Sequence, residues 1–457
     1  MTSSVGVAPD QRARAPQARR AGWRSRLDAA TTPARLRLLL AVLVVLSVAW
    51  GLIAALAASQ HGSAAADVVA VSEPLSLDAE QIYHGLSDAD AAESNAFLAG
   101  GLEPAAARQR YDADITQAAI RIEAATALVG SSAARTQLPG HPANQAPAAG
   151  SAVGDDLAIL SAELPVYVGE VGTARADNRL GLPLGAAYLR EASSLLRGML
   201  LPAASDIYAR ENGRLTSASA QATGFPLIAF AIVIGLVIGY VLYRSSRWLA
   251  RHTHRMVNYG LLVAVLAGAV SLVWLAAAFA VGRADLLHAQ QHGSAPAEAF
   301  ARADVAALRA HADESLTLID NSGDDAYQQD FLAQQKLLGP GPGTLLAAVQ
   351  ASAGDGGSVS ADVRAWYRAH TALRAMDDGG NHAAAVQSAL TGDAASTFAR
   401  LSATLSNGID DHQAVFAASA RGGRDAFTGL AAGMIVAALV MAAGCAWGLS
   451  RRLAEYR

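Results

Sequence analysis

The sequence predicts an all-α membrane protein: four transmembrane helices and two extracytoplasmic four-helix-bundle domains arranged as a tandem repeat. Three observations carry this expectation. Hydrophobic residues make up 52% of the 457 and charged residues only 16%, against about 25% charged in an ordinary soluble domain. The apolar excess is gathered in four blocks free of Asp, Glu, Lys and Arg, at 38–58, 225–243, 259–281 and 427–449, each near the ~20 residues a spanning helix needs. Between them the chain is dominated by alanine, 106 residues in all, the residue that costs least in a helix.

Taken in order, residues 1–37 carry eight Arg and two Asp among Ala, Gln, Ser and Pro, the composition of a disordered basic arm. The block 38–58 then forms the first span. Ala55-Leu56-Ala57 offers a small-residue cleavage site, but a 37-residue leader before a 21-residue apolar run fits a removed signal peptide poorly. The loop 244–258 between the second and third spans holds Arg244, Arg247, Arg251 and Arg255 and no acid. The tail 450–457 is also basic. These three segments have net charges of +6, +4 and +2, whereas the long segments 59–224 and 282–426 have −9 and −7. Basic segments are retained in the cytoplasm, so both termini and the short loop are expected inside a plasma membrane and the two long segments outside. The overall charge of −4 divides into +12 and −16 on the two faces.

The long segments read as helix. In the first, helices are expected near 59–97, 103–130, 152–180 and 184–223, with a Gly/Pro/Ser/Ala-rich loop at 130–150 and a turn at Gly181 and Pro183. Pro202 should kink or split the last of them. In the second, helices are expected at 282–320, 324–353 with a break at Gly339–Gly343, 358–378 and 382–425. A duplication is written in Gln60-His61-Gly62-Ser63-Ala64, which recurs as Gln291-His292-Gly293-Ser294-Ala295, and in Ser47 and Trp50 against Ser271 and Trp274. Each half then reads as an up-down bundle whose outer helices enter the membrane.

No motif points to catalysis: phosphate loop, kinase domain and nucleophile elbow are all absent from the sequence. No enzymatic activity and no cofactor are expected. The single Cys445 excludes an intrachain disulfide or thiolate cluster. Asp285, His288 and His292 share a helix face, but without an HExxH glutamate a polar juxtamembrane face is the better reading than a metal site. His61, Gly62, His292 and Gly293 are candidate juxtamembrane signalling positions. Arg121, Arg175 and Arg374 could meet a carboxylate ligand, though ion pairing explains them as well. Arg244, Arg247, Arg251 and Arg255 are candidate contacts for anionic lipid or a cytoplasmic partner. The Gly235/Gly239 and Gly444/Gly448 pairs are spaced for close transmembrane packing, as are Ala438 and Ala442. No feature points to nucleic acid.

Five stretches carry a family resemblance: Leu86-Ser87-Asp88-Ala89-Asp90, Asn95-Ala96-Phe97-Leu98-Ala99-Gly100-Gly101-Leu102-Glu103-Pro104, Arg110-Tyr111-Asp112-Ala113-Asp114-Ile115, Tyr188-Leu189-Arg190-Glu191-Ala192-Ser193 and Leu200-Leu201-Pro202-Ala203-Ala204. With four spans and a basic inner face, the chain resembles the GlnX-type membrane proteins of actinobacteria. The second half departs from the pattern, lacking the Phe-Leu-Ala-Gly-Gly stretch and carrying the Gly/Pro break at Gly339–Gly343. The resemblance implies an amino-acid-sensing relay for aspartate, glutamate or glutamine. A solute-binding lipoprotein would meet the outer domains, and a cytosolic Ser/Thr kinase of protein kinase G type, or its adaptor, would receive the signal. Two other classes compete, an amino-acid permease subunit and an envelope scaffold. Spans without ionisable residues or interrupted helices weigh against the permease.

Overall fold

The computed structural model describes residues 32–67, 73–101, 103–136, 147–223, 226–253, 258–320, 325–353 and 356–454. Every regular element among them is helical. The described residues divide into two compact units, one drawn from residues up to Ala55, Phe230–Val273 and Ala432 onward, the other from Leu56–Ala229 and Trp274–Ala431.

The first unit is built from parts of α1 (Thr32–Asp67), α7 (Pro226–Thr253), α8 (Tyr259–His288) and α15 (Leu430–Ala454). Each helix turns an apolar stripe outward: Leu38, Val42, Val45, Val48 and Leu52 on α1 are all exposed, spaced three or four apart. Such a surface is compatible with a hydrocarbon surrounding. Its interior is made of small residues. A Cβ on Gly260 would lie 2.5 Å from the Cα of Gly448, one on Gly444 would meet the Gly260 carbonyl at 2.7 Å, and one on Gly51 would collide with Ala438. Gly235 faces the Trp50 indole, with 2.4 Å from a built Cβ to Nε1. Gly239 faces open space, with nothing within 4 Å, so the close packing expected of that pair falls to Gly235. Cys445 is buried and in hydrogen-bond reach of Ser47.

By length and apolarity, four stretches could cross a membrane: Arg37–Gln60, Ala152–Arg179, parts of Tyr259–Ile319 and parts of His382–Arg451, with Ala229–Ser245 a shorter apolar helix. Ala152–Arg179 packs one face into the core of the second unit. Leu157, Leu160, Leu164, Tyr167, Val171 and Ala174 form one buried face, while Glu163 and Glu170 lie on the rest of it. Pro226–Thr253 is 28 residues long, about 42 Å at 1.5 Å per residue, ample for the span expected at 225–243.

The second unit holds both long segments. Its first half comprises α2 (Glu73–Phe97), α3 (Ala105–Thr136), α4 (Pro147–Arg179), α5 (Leu184–Leu195) and α6 (Leu201–Thr223). Its second half comprises α9 (Ala295–Ile319), α10 (Ala326–Leu338), α11 (Leu345–Ala353), α12 (Gly356–Asp378), α13 (His382–Thr391) and α14 (Asp393–Asp425). The helices run further into the expected 130–150 loop than composition indicated, and residues 137–146 lie outside the described ones. The turn at Gly181 needs its positive φ of 69°, which glycine adopts without steric cost. One core gathers around Ile82, Leu86, Tyr167 and Leu200, the other around Phe331, Trp366 and Leu405. The segments expected as separate bundles meet along α2 and α9, and Ala91 of α2 sits in the second half's core.

Pro202 does not break its helix. The chain passes from α5 to α6 through a π-helical segment, Leu196–Leu200, in which the Leu201 N–H bonds the Leu196 carbonyl five residues back. A second π segment, Ala289–Ser294, joins α8 to α9 in the same way, with the Ala295 N–H on Gln290, just before Pro296. A proline ring collides with the carbonyl four residues earlier and offers it no N–H. A wider turn ahead of it relieves both.

Candidate functional site

Seventeen of the 25 residues of α9 are buried, Asp304, Asp313 and Glu314 among them. α2 is in the same position, and its Asp78, Asp88, Asp90 and Glu93 are all buried. Each must find a partner or lose ionisation energy. Arg110 from α3 holds Asp88 bidentately at 2.8 and 2.9 Å, and Arg121 holds Asp78 at 3.0 Å. Arg175 from α4 holds Glu93, approaches Glu103 at 3.5 Å, and stacks 4.2 Å above the Tyr111 ring.

A second set crosses from one half to the other. His84 Nε2 lies 2.6 Å from Asp304 of α9. Arg197, in the π segment, donates to Asp313 at 2.6 Å and lies 3.6 Å from Asp90, which also accepts from Ser193. Arg190 reaches Asp320 at 3.1 Å, Gln413 donates to Glu80 at 2.8 Å, and Asn212 to Glu298 at 3.0 Å. Deeper in the second half, Glu314 and His370 pair at 3.2 Å, and the His370 ring stacks on Phe331. Direct ionic contact between α2 and α9 is His84–Asp304, flanked by ionic and amide contacts from the neighbouring segments.

Burial raises the Glu80 carboxyl to about 7, against the opposing Gln413 hydrogen bond. Burial and the neighbouring Asp88 carboxylate raise Asp114 to about 7. Burial, partly offset by Arg197, raises Asp313 to about 6. Burial would depress His84, but the hydrogen bond and charge of Asp304, backed by Asp88 and Asp114, lift it to about 9. His311, buried against Phe398, is pushed down and stays neutral.

A cavity of about 250 Å³ opens on this seam. Glu80, Tyr83 and His84 of α2 form one wall, Tyr208 of α6 another, and Glu298, Arg302 and Arg309 line one face of α9. None of these was singled out in the sequence. A burial pattern without polar periodicity hides them, and the one available signal was the density of acids in α2, a helix otherwise suited to an interior.

The residues that were singled out lie elsewhere. His292 is exposed, stacks on His288 with ring centroids 4.4 Å apart, and accepts on its carbonyl from His412 Nδ1 at 2.8 Å. Gly293 packs against the Phe416 backbone, 2.6 Å from a built Cβ. His61 and Gly62 lie within α1, whereas the matching His292 and Gly293 lie in the π segment. Among the described residues no cluster of three His, Cys, Asp or Glu is placed to hold a metal. Arg244 is exposed, and Arg247 donates to the Tyr243 hydroxyl at 2.9 Å. Arg251 is in α7, and Arg255 lies outside the described residues. Arg121, Arg175 and Arg374 all engage carboxylates of the chain itself, Arg374 with Asp377 and Asp378.

A helical membrane protein with a polar, cavity-bearing helical unit is the class these features define. Residues 64–220, about a third of the chain, match the model of the actinobacterial sensor domain family. The match begins near the end of α1 and runs through most of α6, covering the first half of the unit and supplying Glu80, Tyr83, His84 and Tyr208 to the cavity. It fits a sensor protein of actinobacteria and supports a sensing or signalling role. No curated protein matches the chain.

Proposed function

We propose that the chain is a transmembrane signal transducer without enzymatic output of its own. The observation that carries this reading is an unbroken helical run, Tyr259–Ile319. At one end it is apolar enough to cross a membrane; at the other it is α9, which lines the cavity and carries half of the ionic seam. A change among buried charges along such a helix can be converted into a shift of about 1–2 Å. The basic segments 1–37, 244–258 and 450–457 orient the cavity-bearing unit outward across the plasma membrane. In this reading the output passes to another protein.

In the specific form implied by the family resemblance, a solute-binding lipoprotein reports amino-acid availability to the outer unit. A cytosolic Ser/Thr kinase or its adaptor then reads Arg244, Arg247, Arg251 and Arg255. Photocrosslinkers placed in the outer unit of the full chain in native membranes are expected to capture the lipoprotein, and crosslinkers at Arg244 and Arg247 the kinase or adaptor. Capture of neither from membranes rich in the protein would overturn the relay. Amino-acid uptake by proteoliposomes containing this protein alone would favour a permease instead.

A further inference from the structure

We propose that the cavity on the seam binds a small organic acid, its carboxylate received by Arg309 and its apolar body by the walls of α9, α10 and α11. This deepens the reading of the unit as a sensor and rests on it.

The charge bookkeeping of the walls points to an anion. Glu80 accepts from Gln413, Glu298 accepts from Asn212 and lies 3.8 Å from Arg302, and His84 is held by Asp304. Arg309 differs from these. Its guanidinium donates to the Tyr83 hydroxyl and lies 5.6 Å from that ring, and among the described residues no carboxylate engages it. Arg110, Arg175, Arg190 and Arg197 of the same unit each hold a carboxylate at hydrogen-bond distance. A planar guanidinium that lines a cavity and is left without a carboxylate matches a carboxylate ligand in shape and charge.

Size and lining define the rest of the ligand. Ala301, Val305, Ala306, Leu337 and Leu345 make most of the remaining wall apolar. An engineered apolar cavity of about 150 Å³ accepts benzene, so about 250 Å³ holds one ring or a short branched chain together with its carboxylate. Arg302 and Leu337 are exposed at the rim, which leaves a route of entry.

The test uses the purified full chain in lipid nanodiscs and calorimetric titration with benzoate, isovalerate and hexanoate, with benzamide as the uncharged counterpart of benzoate. At least one acid should bind, benzamide at least tenfold more weakly than benzoate if benzoate is that acid. Arg309→Gln should weaken the bound acid at least tenfold. Leu337→Trp, a bulky change at an exposed rim position, should do the same while the melting point stays close to that of the parent, which covers the case of an unfolded Arg309→Gln. Binding of no acid, equal binding of benzamide, or unchanged affinity in either folded variant would overturn the proposal. Loss of the acid with partner crosslinks intact would leave the relay standing. Binding of the acid without any crosslink would remove the relay and keep the site.

Discussion

At the scale of single residues, what decides an ionic contact is how little water reaches it. Arg197 is 24% exposed and Asp313 2%, and Asp90 lies beside them. Arg197→Ala would leave two buried carboxylates facing each other without a cation. Breaking a buried pair from one side costs about 3–5 kcal/mol, so the melting point of the full chain in detergent should fall by roughly 3–5 °C. Arg302, 66% exposed and 3.8 Å from Glu298, is the control: Arg302→Ala should stay within about 1 kcal/mol of the parent. Equal effects of the two substitutions would mean that the seam is solvated and carries no special weight. The sequence flanks the two differently, Arg302 with alanines and Arg197 with Leu195, Leu196, Leu200 and Leu201. Which carboxylates Arg197 meets, Asp313 of α9 and Asp90 of α2, is a tertiary matter that no local pattern records.

At the scale of elements, the sequence was most informative where one physical rule dominates. The apolar blocks, the break at Gly339–Gly343 and the turn at Gly181 were legible because length, hydrophobicity and backbone freedom are local properties. Pro202 was legible as a disturbance but not in its outcome. The π segment keeps the helix continuous, and the same device before Pro296 was not anticipated at all. Small-residue spacing was legible only in part, since Gly235/Gly239 and Gly444/Gly448 look alike in sequence and differ in their neighbours. That difference gives a sharp expectation for the packing of α8 on α15. Gly260→Val places a branched side chain where the backbone of Gly448 cannot yield and should destabilise the protein by about 1–3 kcal/mol. Gly239→Val projects into open space and should change stability by less than about 0.5 kcal/mol. Thermal unfolding of both variants in the same detergent decides the matter. A Gly239 variant as damaged as the Gly260 one would mean that α7 is closely packed at that position.

At the scale of the whole molecule, the division of charge between basic and acidic segments could be summed from the sequence. The charge inside the acidic unit could not, because pairing across α2 and α9 depends on two segments separated by a span, a loop and another span. That pairing has a consequence for pH. Glu80 and Asp114 are raised to about 7, Asp313 to about 6 and His84 to about 9, from ordinary values of 4.5, 3.8, 3.8 and 6.5. Asp78, Glu93 and Glu211 are raised too, each chiefly by burial. A group whose folded value exceeds its unfolded one binds its proton more tightly in the fold, so unfolding releases protons and stability falls as pH rises. The contribution of each is complete below its unfolded value and lost as pH passes its folded one: near 6 for Asp313, near 7 for Glu80 and Asp114, near 9 for His84. The melting point of the full chain is therefore expected to be higher at pH 5.5 than at pH 8 and to fall further towards pH 9. Asp313→Asn should flatten the early part of that decline, and His84→Gln the part above pH 7. A melting point that is level or rises between pH 5.5 and 9 would show that burial does not hold these carboxyls protonated in the fold, their ionised forms being met by water or by cations such as Arg197.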